Sequence, residues 1–331
     1  MLERDFQFRS LTLRTLFGSV TGGVAGVACA AFGANVWSLV VAALVTSSVS
    51  LVFVWRVSAW RPSFHFDRSS ARELRSNGLS ILGVQLVGLI NAQGDKLIVG
   101  AFLGPADLGY YYVGTRIITI LTDVQTSVIE SISLTTLSRL QKNKERLRAA
   151  FYKLTSLGAA SAIAAFAVVA ATANVIIPLV FGPSWAPAAP IMQILCLMGC
   201  LNAIIVFDRN ALIATGAARA ALMITIVQCI VGLVAVAVAV PFGVLAVAIA
   251  VVARQYLIWP FRLKTVRDAI DISVRRYILN WLGPMCSGLV VFAAGMVASL
   301  VWHPSDGTYE RLFYVAGFGL VGLVIYAATL R

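Results

Sequence analysis

Ten apolar stretches, each long enough to cross a bilayer as a helix, fill most of this chain and limit its architecture more than any motif does. A helix needs about 20 apolar residues to traverse the ~30 Å hydrocarbon layer. On that ruler spans are expected at roughly 15–33, 36–55, 76–101, 109–137, 154–180, 188–213, 220–240, 244–262, 277–302 and 311–330. Sixty per cent of the 331 residues are hydrophobic and 12 % are charged, more apolar material than a soluble core of this length could hide. The expected fold class is therefore all-α, a polytopic transmembrane helical bundle.

The connecting segments alternate in charge. Segments 34–35, 101–109, 181–187, 241–243 and 303–310 hold no Lys or Arg. The alternate ones hold Arg4, Arg9 and Arg14, then Arg56 to Arg75, then Arg139 to Lys153, then Arg219, then Arg262 to Arg276. Basic residues stay on the cytoplasmic side, so both termini are expected there, as an even number of spans also requires. The net charge of +12 is thus a set of topology signals. It is not one continuous basic face, and no nucleic-acid partner is expected.

Metal and disulfide chemistry find no footing. Cys29, Cys196, Cys200, Cys229 and Cys286 all lie in apolar segments, and neither His65 nor His303 is within ligand spacing of one. They read as small buried hydrophobes, with no catalytic residue, metal or bound cofactor expected. The amino terminus loosely imitates a signal peptide, but Glu3 and Asp5 spoil its basic region and no polar domain follows. In the first span Gly18, Gly22 and Gly26 repeat every four residues, a stripe that lets another helix approach closely. Pro105, Pro183, Pro187, Pro241 and Pro304 fall in external turns, and Pro190 and Pro284 are expected in first helical turns.

The informative residues are the charges inside the spans. A charged side chain at the bilayer centre costs about 2.5 to 3.5 kcal/mol on insertion scales, so each must face protein or water. Asp95 and Lys96 are adjacent in the third span but point about 100° apart, so each needs a partner elsewhere. In the fourth span Arg116, Asp123 and Glu130 recur every seven residues on one face, which reads either as the wall of a water-filled cavity or as hydrogen-bonding glue between helices. Asp208 and Arg209 lie near the end of the sixth span and are expected to snorkel. Arg254 falls near mid-depth in the eighth.

The stretch "NAQGDKLIVGAFLGPADLGYYYVG" (91–114) resembles the seventh helix and following turn of bacterial polysaccharide-repeat-unit flippases, within the multidrug/oligosaccharidyl-lipid/polysaccharide exporter superfamily. "RDFQFRSL", "NVWSLV", "FGPSWAPAAPIMQIL" and "ATGAARAAL" follow the same family order to about residue 262. Family members usually have two pseudo-symmetric lobes around a central cavity. Against that pattern this chain starts with the fifth helix, so Gly18, Gly22 and Gly26 are expected to lack their partner helix. The division implied is 1–75 as the remaining two-helix part of the amino-terminal lobe with a linker, 76–262 as the six-helix carboxy-terminal lobe, and 263–331 as two added helices.

The resemblance implies a multi-pass protein of the bacterial cytoplasmic membrane, not an enzyme. Its substrate would be a polyprenyl-pyrophosphate-linked oligosaccharide repeat unit for exopolysaccharide, capsule or O-antigen, with membrane lipid and the polysaccharide polymerase and export machinery as partners. Lys96, Arg116 and Arg254 would then neutralise the pyrophosphate. Asp95, Asp123 and Glu130 would be either counter-charges or sites coupling transport to a proton or sodium gradient, a choice the residues leave open. A truncated remnant or assembly partner that does not itself transport, and a cation-coupled drug exporter of the same superfamily, are the alternative readings.

Overall fold

The computed structural model of this chain describes residues 8–57, 68–140, 143–301 and 308–330. They form ten α-helices: α1 Phe8–Ala31, α2 Trp37–Val57, α3 Arg68–Phe102, α4 Pro105–Leu140, α5 Lys144–Phe181, α6 Ala188–Ala214, α7 Ala218–Ala239, α8 Val244–Ile270, α9 Val274–Val301 and α10 Thr308–Leu330. Among the described residues there is no strand. Every apolar stretch became a helix. Seven of these, α1, α2 and α5 to α9, are long and apolar enough to cross a membrane. The apolar part of α10, Phe313–Thr329, is shorter, and α3 and α4 are not among the seven. α3 and α4, where two of the ten spans were expected, carry the polar residues described below.

The chain packs as two units, Met1–Asn77 and Gly78–Arg331. In the first, α1 lies along α2 as a hairpin. The turn between them places Gly33 and Asn35 at positive φ (82° and 44°), where glycine and asparagine carry the least steric cost. The stripe Gly18, Gly22, Gly26 does have its partner, contrary to the expectation. It meets Ser38, Ala42, Thr46 and Ser50, a second stripe of small residues at four-residue spacing on α2. A β-carbon at Gly18 would stand 2.6 Å from the Ser50 hydroxyl, one at Gly26 2.9 Å from the Ala42 β-carbon, and one at Gly22 would overlap the Thr46 hydroxyl. The α2 hydroxyls satisfy themselves locally: Ser38 donates to the Asn35 carbonyl (2.6 Å) and Thr46 to the Ala42 carbonyl (2.8 Å). Large apolar side chains such as Leu16, Val20, Val24, Leu44 and Leu51 point away from this seam and are exposed, as on a lipid-facing helix.

The second unit is built around α5 and α6. α5 presents a run of small buried residues (Ala159, Ala162, Ala170, Ala173) that lets neighbours come close. Aromatic rings use the glycines opposite them: Phe207 sits over Gly158, and Phe166 over Gly199. On another side of α5, Gly288 and Gly295 of α9 seat against Ile163 and Ala171, and α10 packs on α9 and α5. Pro284 lies inside α9, not in its first turn as expected. The helix begins at Val274 and runs well past the apolar onset.

The start of α5 is fastened to the turn between α8 and α9. Asn143 caps α5 by accepting the Arg146 N–H (3.0 Å), and the Tyr152 hydroxyl accepts the Ser273 N–H (2.6 Å). Arg276 lies over the Tyr152 ring at 4.8 Å, and Arg148 pairs with Asp271 at 3.5 Å. Asp271 ends α8 in the left-handed conformation (φ 56°).

Candidate functional site

Five helices of the second unit, α3, α4, α6, α7 and α8, enclose a cavity of about 230 Å³. Its wall includes Asn91, Asp95 and Lys96 of α3, Tyr111, Thr115 and Thr119 of α4, Asn202 of α6, Gln228 of α7, and Arg254 and Gln255 of α8. Leu195, Met198 and Val251 supply apolar floor. The polar set comes from one face of each helix: Asn91 and Asp95 are one turn apart, as are Tyr111, Thr115 and Thr119.

Asp95 accepts the Tyr111 hydroxyl hydrogen bond at 2.6 Å and the backbone N–H of Lys96 at 2.9 Å. The Lys96 ammonium donates to Gln93 Oε1 at 2.9 Å and stands 5.7 Å from the Tyr112 ring centroid. Arg254 crosses to α7, where Nη1 donates to the Gln228 carbonyl at 3.3 Å. It lies flat over Gly232: a β-carbon there would be 2.9 Å from Arg254 Cζ and would overlap Nη1. Gln228 is the hub of an amide chain. It donates to Gln255 Oε1, Gln255 donates to Asn202 Oδ1 (2.7 Å), and Arg262 donates to Gln228 Oε1 (3.1 Å).

Two cavity atoms, Asn91 Oδ1 and Arg254 Nε, are buried and have no hydrogen-bond partner within the protein. Buried polar atoms are nearly always satisfied, so an acceptor and a donor left over in the lining make this cavity the candidate site for a polar guest. Lys96 and Arg254 both line this cavity, together with the carboxylate of Asp95.

The structure brings three of the sequence-selected residues together, Asp95, Lys96 and Arg254. It places Arg116 and Asp123 elsewhere: both are exposed, and neither lines the cavity, although Thr115 and Thr119 do. The side chain of Glu130 lies outside the described residues. Asp208 does not snorkel. It is fully buried and accepts the Tyr277 hydroxyl hydrogen bond at 2.8 Å, because α9, from much later in the chain, closes over it. Arg209, next in line, is exposed. Sequence reasoning passed over Tyr111, Asn202, Gln228, Gly232 and Gln255. Neutral amides barely disturb a hydropathy trace, yet Gln228, the one amide in α7, was a readable signal.

Comparison with known proteins points one way. The sequence pattern of the family described as "Polysaccharide biosynthesis protein" matches residues 1–190. The chain is 25 % identical over 221 residues to "Teichuronic acid biosynthesis protein TuaB" of Bacillus subtilis (strain 168), covering 66 % of this chain and 46 % of that protein. It is 26 % identical over 210 residues to "Lipopolysaccharide biosynthesis protein WzxC" of Escherichia coli (strain K12), covering 60 % and 43 %. It is also 24 % identical over 197 residues to "Succinoglycan biosynthesis transport protein ExoT" of Rhizobium meliloti (strain 1021), covering 60 % and 40 %. The chain thus spans less than half the length of these relatives. Among solved structures, "Lipid II flippase MurJ, inward closed conformation" superposes with a TM-score of 0.73 at 12 % identity, covering 93 % of this chain and 64 % of that one. A multidrug resistance MATE family transporter in an outward-facing conformation superposes with a TM-score of 0.50 at 13 % identity, covering 75 % and 61 %. These two likenesses establish the fold as that of membrane transporters.

Proposed function

Because this chain belongs to the polysaccharide biosynthesis protein family, we propose that it works as a multi-pass protein of the bacterial cytoplasmic membrane in moving lipid-linked oligosaccharide repeat units between leaflets. The observation that carries the reading is the cavity lined by Lys96, Arg254 and Asp95, inside a lobe whose outer surface is apolar. A pyrophosphate cannot cross hydrocarbon bare, whereas two cations and a ring of amides replace its hydration. The names of the relatives, a lipopolysaccharide biosynthesis protein and a succinoglycan biosynthesis transport protein, support the same substrate class.

In this reading Lys96 and Arg254 hold the pyrophosphate and Asp95, with Tyr111, offsets their charge when the lipid is elsewhere. Arg116, Asp123 and Glu130 of α4 act outside this cavity, on substrate or on a coupling proton or sodium ion. Both chain ends lie on the cytoplasmic side, and the polysaccharide polymerase and export machinery take the product. The test is charge reversal in the producing cell. Arg254→Glu and Lys96→Glu together should abolish surface polysaccharide while protein remains in the membrane at its usual level. Normal polysaccharide in that variant sinks the proposal.

A further inference from the structure

Asp208 lies outside the cavity, and the transport reading does not use it. It is fully buried in α6. Its Oδ1 accepts the Tyr277 hydroxyl of α9, while Oδ2 is buried without a partner. The rings of Trp259 and Trp281 lie tilted beside Tyr277, with centroids 6.2 and 5.6 Å from it. From α8 the group facing Asp208 is Arg262, itself buried, whose guanidinium is held on Gln228 and not on the carboxylate. The charged and titratable side chains set around Asp208 are Tyr277 and Arg262, with Arg209 beside Arg262. A carboxylate with one neutral donor, a bare oxygen and no paired cation is an expensive object at this depth. A neutral carboxylic acid is not.

We infer that Asp208 is a proton-binding site, and that Arg262 and Gln228 transmit its state to the cavity. With the proton on Oδ2, Arg262 stays on Gln228, the arrangement seen. When the O–H bond breaks and the proton leaves to water, the new charge draws Arg262 from Gln228 into a direct ion pair, and Arg262 becomes the counter-charge. Gln228 then loses a partner while still holding Arg254 through its carbonyl and Gln255 through its amide. Pro260, two residues before Arg262, removes one backbone hydrogen bond from α8 and lets its lower end turn without the upper end following.

Proton binding itself does not require the transport reading; only its use in a cycle rests on that reading. Infrared difference spectra of the purified full chain in lipid nanodiscs, taken between pH ~5 and ~9, read the carbonyl stretch of a protonated carboxyl directly. A band that disappears on raising pH is expected, and Asp208→Asn should lack it. Tyr277→Phe should keep the band and move its midpoint upward by roughly one pH unit, since a donor to the charged form is gone. Identical difference spectra in wild type and Asp208→Asn overturn the inference. If Asp208→Asn does not accumulate, Tyr277→Phe decides, and an unmoved midpoint overturns it. A protein that fails to transport but shows the band refutes only the flippase reading, and transport without the band refutes only the proton site.

Discussion

Replacing Gly232 with alanine tests whether Arg254 acts on substrate, because the change leaves Arg254 in place and only moves it. The added β-carbon would occupy the position of Nη1 and sit 2.9 Å from Cζ. The guanidinium is the free end of a flexible side chain, so it yields and the helix does not. Stability should hardly change: alanine gains about 0.5–1 kcal/mol over glycine in a helix interior. Against that stands the long 3.3 Å hydrogen bond from Arg254 to the Gln228 carbonyl, about 1 kcal/mol. Affinity should change much more. A displaced guanidinium forfeits a charged hydrogen bond to the pyrophosphate, about 1.5–3 kcal/mol, which is tenfold to a hundredfold in Kd. The assay is equilibrium binding of a short-chain polyprenyl pyrophosphate to detergent-purified protein, with thermal unfolding measured alongside. Gly232→Ala should weaken binding within that range at an unchanged unfolding temperature, and should have no further effect when added to Arg254→Ala. Wild-type affinity in Gly232→Ala, or an equal loss in the Arg254→Ala background, would refute the argument.

Two other outcomes follow from the geometry. Cysteines introduced together at Gly26 and Ala42 would bring their β-carbons to 2.9 Å, closer than the ~3.8 Å of a disulfide, so a slight parting of the α1–α2 seam should let mild oxidation in membranes join them, with a changed gel mobility as the readout. The pair Gly23 and Ala42 should stay unjoined, since Gly23 faces open space. Tyr111→Phe removes the 2.6 Å donor to Asp95 and should lower unfolding stability by about 1–3 kcal/mol. Tyr111→Phe with Asp95→Asn should recover part of that loss, because no charge is then left without its donor.

Hydropathy located the helices because a span is defined by what its middle excludes. It placed their ends less well. α5 starts at Lys144 where the apolar run suggested 154, and α8 continues to Ile270 past 262. A helix propagates through Lys, Arg and Glu readily, while a hydropathy trace stops at the first charge. Asp95, Lys96 and Arg254 stood out as charges where charge is costly, and they line one cavity. The seven-residue spacing of Arg116 and Asp123 correctly put them on one face of α4, but spacing within a helix carries no information on what lies opposite. Asp208 was misjudged for the same reason: its distance from the end of α6 was legible, whereas Tyr277, 69 positions later, was not. The partner of the glycine stripe was legible all along in Ser38, Ala42, Thr46 and Ser50.

That double stripe bears on how the chain enters the bilayer during synthesis. α1 is the less apolar of the hairpin's two helices. α2 follows after a turn of a few residues, is more apolar, and carries the complementary groove. A ribosome therefore delivers the two as one hairpin, with the second helix supplying the drive to enter lipid and the glycines fixing the first beside it. Substituting those glycines would leave α2 inserted and loosen α1 from its place beside it.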